Sequence, residues 1–376
     1  MSADENDAST SVTFTKLAKE LEGRFRRGLS DAWSEDDFEE LARGVFRHQF
    51  EACATYQAYC RKRGVTPESV ATWEDIPAVP ATAFKYFDFV SAHGDVEATF
   101  LTSGTTRGEE QRGRHHVPRL DLYRASLMPP FEAALLPERR PLRFLSLVPD
   151  PKTVPESSLS FMVGAAAETW ATETHWLVDE AGNVDAAALG DVLDLIAASG
   201  EPVLLLGTAL AFVHVLESDG NRLGPLPEGS RIMETGGFKG ARRTVSRERL
   251  YDQIAQATGV PSERVVNEYG MTELLSQLYE PVLAEGSESV GVHVPPPWLR
   301  VRALDPLTLR PVAAGQDGIL AYFDLANLGS ISHILTEDVG SVVNGRMRLR
   351  GRASGAEPRG CSRAMDDLMT AAEGHR

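Results

Sequence analysis

Cysteine is scarce in this chain: three thiols in 376 residues cannot build a disulfide framework and fit a reducing compartment. No Cys/His cluster has zinc-ligand spacing, so a structural zinc is not expected. No apolar run approaches the roughly 20 residues needed to span a bilayer. The opening Met1-Ser2-Ala3-Asp4-Glu5-Asn6-Asp7 is polar and acidic, unlike a secretion signal. Basic residues are also in deficit. The 38 Lys and Arg against 54 Asp and Glu leave a net charge of −16, which argues against nucleic acid or an anionic membrane as a general partner. A cytoplasmic enzyme is the expectation, and any anionic substrate has to be drawn in by local arginines.

What is present is enough apolar sequence, 42%, for a core larger than one typical domain. The first 65 or so residues read as helices: Phe14 to Leu29, then a longer one capped by Ser34 with Asp37 three residues on. Cys53 and Cys60 fall in this region, the former in register with Phe38, Leu41, Val45, Phe46 and Phe50, and should be packed inside. Pro77 and Pro80 impose extended backbone, and Phe84, Phe87 and Phe89 read as core, with Lys85 solvated. Short apolar strands then alternate with helical patterns: Leu142 to Val148 with Leu159 to Thr169, Val203 to Leu206 with Ala209 to Leu216, and Arg231 to Glu234 with Ser246 to Ala257. That alternation predicts a layered α/β sheet. From Val290 the pattern becomes short strands and turns, as in Leu299 to Leu304, Gly318 to Phe323 and Met347 to Arg350. The expected organisation is a helical lead-in over 1–68, an α/β core over 69–289, a β-rich subdomain over 290–350 and a short tail over 351–376.

Three segments carry chemistry. Thr102-Ser103-Gly104-Thr105-Thr106-Arg107-Gly108, followed by Arg112, Arg114, His115 and His116, can turn backbone N–H groups and hydroxyls toward one anion. It suits a polyphosphate but is neither a Walker A loop nor a Rossmann fingerprint; an ordinary Ser/Thr-rich turn is the alternative. In Val265-Val266-Asn267-Glu268-Tyr269-Gly270-Met271-Thr272-Glu273, a strand running into a glycine turn would set Thr272 and Glu273 side by side, a hydroxyl for phosphate and a carboxylate for a divalent cation. Cys361 lies in the polar, turn-prone stretch 352–362, where no packing argument calls for a thiol. Flanking Arg359 and Arg363 favour its thiolate, and Glu357 opposes them. His115, His116 and His214 need no catalytic role when the nucleophiles are already anionic; His214, in an apolar run, reads as core or pocket lining.

The first two segments resemble two core motifs of the adenylate-forming superfamily of acyl-CoA ligases, luciferases and peptide-synthetase adenylation domains. Ile76 to Pro80, Phe84-Lys85, Thr235-Gly236-Gly237-Phe238-Lys239, Glu268 to Gln277 and Gly351 to Ser362 further resemble the acyl-protein synthetases of bacterial luminescence, over roughly residues 70 to 365. The resemblance implies the large N-terminal domain of the adenylate-forming fold, with layered α/β sheets plus a small β-rich subdomain. It also implies ATP and Mg²⁺ as cofactors and a carboxylic, fatty acid as substrate. Thr102, Ser103, Gly104, Thr105 and Thr106 would embrace the phosphates, Thr272 would touch the α-phosphate, and Glu273 would hold the metal. Gly236, Gly237, Tyr269 and Gly270 would border the nucleotide, while Asp338 would take the ribose hydroxyls with Arg352 nearby. Cys361 would accept the acyl group as a thioester and pass it to a reductase, transferase or acyl carrier protein, with Gly351, Gly355 and Gly360 giving its tail the freedom to reach the adenylate.

Only 24 residues follow Arg352, so the superfamily's small C-terminal domain is expected to be largely missing, and the tail contains no lysine to meet the phosphates. Lys239, Arg107 or Arg114 could supply that charge. Two rivals stay open: an acyltransferase taking acyl groups from CoA or a carrier protein through Cys361, or an acyl-CoA ligase. A non-catalytic subunit that only binds a partner is a third.

Overall fold

The computed structural model describes residues 3–373 apart from 32, 93, 103–111, 218–222, 237–244 and 354–358. Ser103, Gly104, Thr105, Thr106, Arg107, Gly237 and Lys239 therefore lie outside the described residues, as does Gly355.

The central element is a six-stranded sheet with spatial order Ala171–Trp176, Leu142–Leu147, Val203–Thr208, Arg231–Thr235, Val265–Tyr269, Leu278–Tyr279. Its first five strands are parallel and the last is antiparallel. Parallel strands are covered on both faces and read as continuous apolar runs; Val203 to Leu206 are accordingly buried throughout. The predicted helices follow at Ser158–Trp170, Ala209–Glu217 and Arg247–Thr258, the last capped by the Ser246 side chain on Arg249 N–H. Helices Leu120–Leu135 and Ala186–Ser199 add to the cover. The second of these is bounded by Asp185, which accepts from Ala187 and Ala188 N–H, and by left-handed Gly200.

A second, five-stranded sheet is built from Leu299–Leu304, Gly318–Asp324 and His333–Val343 in antiparallel order, with Arg346–Arg352 pairing on His333–Val343. Its edge strand, Val79–Pro80, comes from far upstream and runs parallel to Ile334 and Leu335. Proline suits such an edge because it has no N–H to give a further strand. The strand His333–Val343 escapes a sequence reading because Thr336, Glu337, Asp338 and Gly340 interrupt its apolar alternation. A register shift at Val339/Gly340 bends it just after Asp338. Gly340 is required there, since a Cβ would lie 2.5 Å from Arg348 O.

The N-terminal segment is helical, but the first helix runs Ala3–Arg26 rather than Phe14 to Leu29, and the second is shorter than the first, breaking at Cys53 into Glu35–Ala52 and Ala54–Lys62. Ser34 and Asp37 make the reciprocal cap, and Phe38, Leu41, Val45, Phe46 and Phe50 are buried along one face. Cys53 and Cys60 are buried, and burial pushes the Cys60 thiol up to about 12. Phe84 and Phe89 are core, Phe87 packs against it, and Lys85 is exposed. His214 is exposed rather than buried, because it falls on the outer face of its helix. Among the described residues no helix is long and apolar enough to cross a membrane.

Residues 359–373 depart most from the sequence reading. Instead of a turn-prone tail, Arg359–Glu373 is a helix whose residues Gly360, Cys361, Ala364, Leu368 and Ala371 are buried. These positions recur at helical spacing, a stripe hidden in the sequence by small residues that contribute little hydropathy. Gly360 supplies close approach rather than freedom. Its N–H bonds Pro306 O at 2.9 Å, and a Cβ there would lie 2.6 Å from Leu309 Cδ2.

Candidate functional site

The two sheets meet where Val265–Tyr269 ends. Tyr269 stacks on Tyr322 of the second sheet with ring centroids 5.6 Å apart, and its hydroxyl donates to Asp338 Oδ2 at 2.7 Å. Burial holds the Tyr269 phenol well above its ordinary pKa of 10, so it remains a donor. Arg352, the register partner of Asp338 on the adjacent strand, places Nε 3.4 Å from Asp338 Oδ1. Gly270 follows Tyr269 because a Cβ there would collide with the Glu268 carboxylate. The chain then turns through half-buried Thr272 and buried Glu273, the end-of-strand placement expected from sequence. Gly236 ends the neighbouring strand with φ +78°, a conformation that favours glycine.

Ala98–Leu101 and Arg114–Val117 pair as antiparallel strands on either side of residues 103–111. At the base of that segment Thr102 Oγ1 accepts from Gly113 N–H at 2.8 Å, Thr102 N–H donates to Gly113 O, and Arg112 Nε donates to Thr102 O at 2.7 Å. His115 fixes this base to the other motif: its Nδ1–H donates to Thr272 O at 2.7 Å, and its Nε2 accepts from Ser330 Oγ at 2.8 Å. Burial lowers its pKa to about 4, so the ring is neutral and spans two loops. The strand Arg114–Val117, which pairs with the one leading to Thr102, is thereby tied to the Thr272 main chain. Arg114 is engaged with Asp88 Oδ1 at 2.8 Å.

Sequence reasoning missed a buried polar cluster beside Gly236. A cavity of about 230 Å³ is lined by Glu234, Gly236, Arg247, Asn267, His293 and Gly351, among others. Asn267 Nδ2 donates to Glu234 Oε2 at 2.5 Å, Tyr251 Oη donates to the same oxygen at 3.1 Å, and Asn267 Oδ1 faces His293 Nε2 at 2.8 Å. Burial pushes Glu234 up to about 7 and His293 down to about 3. The one sequence signal was polar residues inside apolar strands, as in Val265-Val266-Asn267 and Val292-His293-Val294.

Cys361 is not part of this cluster. It is 2% exposed and packs with Leu304, Ile319, Ala321 and Leu335, its Sγ 3.6 Å from Thr336 O. Ala321 pairs with Leu335, whereas Tyr322 pairs with Ile334. Successive side chains in a strand take opposite faces, so the thiol lies on the face of the second sheet away from Tyr322 and Tyr269. The expectation of a thiol in a turn-prone tail, where no packing calls for it, is corrected: this helix seats the sulfur behind the sheet.

Among the described residues no three His, Cys, Asp or Glu side chains converge as a metal cage. A magnesium ion held by one carboxylate and substrate phosphates needs no such cage, so Glu273 at the loop junction suits it.

The fold is like that of CoA ligases of known structure. 2-Hydroxyisobutyryl-CoA ligase, in its complex with 2-HIB-AMP and CoA, matches at TM-score 0.63 and 16% identity over 87% of this chain and 70% of that one, a likeness of fold. The chain spans about half, 48%, of ATP-bound MatB from Rhodopseudomonas palustris. Residues 28–370 match the family described as acyl-protein synthetase, LuxE, and the chain belongs to that family. The long-chain-fatty-acid–luciferin-component ligase of Vibrio harveyi is 23% identical over 94% of both chains. That of Aliivibrio fischeri is 24% identical over 82% of this chain and 81% of its own.

Proposed function

We propose that the chain is an ATP-dependent ligase that activates a fatty acid as its acyl-adenylate and then passes the acyl group to a thiol. The observation that carries this reading is the Tyr269–Asp338–Arg352 cluster, joined through His115 to the base of the hydroxyl-rich loop. A free carboxylate is a poor acyl donor because its leaving group would be oxide. As a mixed anhydride with AMP it expels a phosphate monoester instead. One carboxylate oxygen forms the new bond to the α-phosphorus, and the bond from that phosphorus to the bridging oxygen breaks, releasing pyrophosphate.

The protein's share is to position the groups and neutralise charge. Tyr269 and Gly236 border the nucleotide and Asp338 accepts from the ribose hydroxyls, steadied by Tyr269 and Arg352. Thr102 accepts from Gly113 N–H, which leaves its hydroxyl proton to donate to a phosphate oxygen. By the family resemblance Ser103, Gly104, Thr105 and Thr106 would bind further phosphate oxygens and Gly237 and Gly270 would border the nucleotide, while Thr272 meets the α-phosphate. Glu273 would hold Mg²⁺, which when bound neutralises phosphate charge.

In the second step a thiolate attacks the acyl carbonyl and AMP leaves. Cys361 is the family-derived candidate, and from its present seat it reaches the adenylate only if helix Arg359–Glu373 leaves the sheet. Local openings of terminal helices lie at the low end of a protein's stability range, so the step is physically open. The buried position equally favours a second reading, in which an external thiol such as coenzyme A takes the acyl group directly. Mass spectrometry after incubation with ATP and a panel of fatty acids, alongside pyrophosphate release, tests both. An acyl adduct on Cys361 supports self-loading; release that persists in Cys361→Ser without any adduct supports the external acceptor. Absence of acid-dependent pyrophosphate release rejects adenylation.

A further inference from the structure

A cavity of about 510 Å³ opens between the end of helix Ala54–Lys62, residues 74–78 and helix Arg359–Glu373. That volume falls within the roughly 300–1,000 Å³ of small-molecule sites. Arg302 in its wall pairs in register with Ala321, which packs against Cys361. Paired residues share a face, so the cavity adjoins the Cys361 side of the second sheet. Leu304, Leu309 and Leu335 supply apolar wall, and the same three side chains belong to the seat of the thiol. Gly360 of the thiol's helix also lines it, so a ligand here bears on whether that helix stays seated.

Positive charge sets the cavity apart in a chain of net charge −16. Its charged lining is Lys62, Arg63, Arg302 and Arg363 against Glu74, Asp75 and Asp367. Two of the carboxylates are taken. Asp367 lies 3.6 Å from Lys62 and 3.3 Å from Arg63, and Asp75 accepts from the Ala71 and Thr72 N–H groups of its own turn. Arg302 donates Nη2–H to the Glu74 main-chain oxygen at 3.0 Å and lies over the Trp73 ring, 5.2 Å from its centroid. Burial lowers its pKa despite the through-space pull of Glu74 and Asp75, so its charge is under-compensated. Among the described residues neither Arg302 nor Arg363 has an ion pair. One guanidinium belongs to the sheet and the other to the helix, and like charges on two elements repel unless an anion joins them. A phosphate monoester is close to a dianion at neutral pH and offers oxygens to both forks. The volume and the three leucines leave room for an organic group that inorganic phosphate does not fill.

We propose that this cavity takes an organic phosphate, whose dianion joins Arg302 of the sheet to Arg363 of the helix and thereby holds Cys361 on its seat. The organic group rests on Leu304, Leu309 and Leu335. The ligand undergoes no bond change; it sets how readily the thiol is exposed. The site is separate from the Tyr269–Asp338 cluster on the other face of the sheet, and the inference goes beyond the adenylation reading without resting on it.

The test is calorimetric titration of the full chain with phenyl phosphate, inorganic phosphate and phenol in a phosphate-free buffer. Phenyl phosphate should bind about tenfold more tightly than inorganic phosphate through burial of its ring, and phenol should not bind measurably. Arg363 is exposed, so Arg363→Gln leaves the fold in place; it should weaken phenyl phosphate by about tenfold, the scale of one charge-assisted hydrogen bond. Glu74→Gln removes the one unengaged carboxylate of the wall and should tighten binding by about threefold. Labelling of Cys361 with a thiol reagent, in a Cys53→Ala, Cys60→Ala background, is the second readout. Because the ligand binds only the seated helix, phenyl phosphate at ten times its dissociation constant should slow labelling about tenfold, and in Arg363→Gln the same concentration should slow it only about twofold. Absence of binding, or equal affinity in wild type and Arg363→Gln, overturns the proposal. So does binding that leaves the labelling rate unchanged, or inorganic phosphate binding as tightly as the ester. Neither readout involves pyrophosphate release, so failure here leaves adenylation standing, and failure of adenylation leaves this site standing.

Discussion

Tyr269 Oη donates a 2.7 Å hydrogen bond to Asp338 Oδ2, tying the last residue of a parallel strand to the bent strand of the second sheet. The contact joins the two halves of the molecule where a nucleotide would lie. Asp338→Ala should therefore raise the KM for ATP by at least about tenfold, the scale of one or two charge-assisted hydrogen bonds. Tyr269→Phe keeps the ring over Tyr322 and removes only the donor, so its effect should be smaller, about threefold. Initial rates of acid-dependent pyrophosphate release against ATP concentration measure both. A wild-type KM in Asp338→Ala would remove Asp338 from the nucleotide site.

His115 makes a pH prediction. Burial lowers its folded pKa to about 4, against about 6.5 in an unfolded chain. The unfolded state thus binds the proton first as pH falls. The contribution of neutral His115 is fully present above pH 6.5 and is lost progressively between 6.5 and 4, a change on the order of 3 kcal/mol for a shift of this size. Urea unfolding of wild type and His115→Asn at several pH values checks it. The variant should be less stable at pH 7.5, through loss of the Thr272 and Ser330 bonds, and should show a shallower decline toward pH 4.5. Parallel declines would mean that the ring is not the group responsible.

Periodicity and capping were enough to read most of this fold from sequence. Ser34 with Asp37 and the short apolar runs of the parallel strands are local signals, and local signals survive in a single sequence. Tyr269 to Glu273 was likewise legible, because a strand running into glycine constrains where the next side chains sit. Asp338's strand was not legible, since polar residues and a bulge mask its alternation even though its two antiparallel partners are its neighbours in sequence. The seat of Cys361 was hidden for a related reason. Gly360, Cys361 and Ala364 give almost no hydrophobic signal, and the groove that receives them is made by Leu304, Leu309 and Leu335. His293 and Asn267 come together only through tertiary folding.

The helix seat can be probed through Gly360. In Gly360→Ala the added methyl would lie 2.6 Å from Leu309 Cδ2 and 2.9 Å from Pro306 O, so the first turn of the helix should be pushed off the sheet. Stopped-flow labelling with a thiol reagent follows Cys361 cleanly in a Cys53→Ala, Cys60→Ala background. Wild-type Cys361, at 2% exposure, should react slowly, and Gly360→Ala should speed it by about tenfold or more, the equivalent of destabilising the seat by about 1.4 kcal/mol. If self-loading occurs, ATP with a turnover-competent acid should protect the thiol by acylating it. Rapid labelling of the wild type would contradict the buried seat.

Glu268 poses the sharpest conflict between stability and use. It is 4% exposed, accepts from the Thr235 hydroxyl, and burial pushes it up to about 7. An acid whose folded pKa is raised destabilises the fold as pH rises: nothing is lost below about 4.5, and the full penalty, on the order of 3 kcal/mol, is felt above 7. Glu268→Gln keeps an acceptor for Thr235 and carries no charge, so it should be more stable than wild type at pH 8 by about 1–3 kcal/mol. The gain should fade toward pH 5. Thermal unfolding at the two pH values reads this directly. A carboxyl retained at such a cost one residue before Tyr269 implies a use, so the more stable variant should release pyrophosphate more slowly. Equal or faster release by Glu268→Gln would show that the carboxylate serves neither the fold nor the reaction.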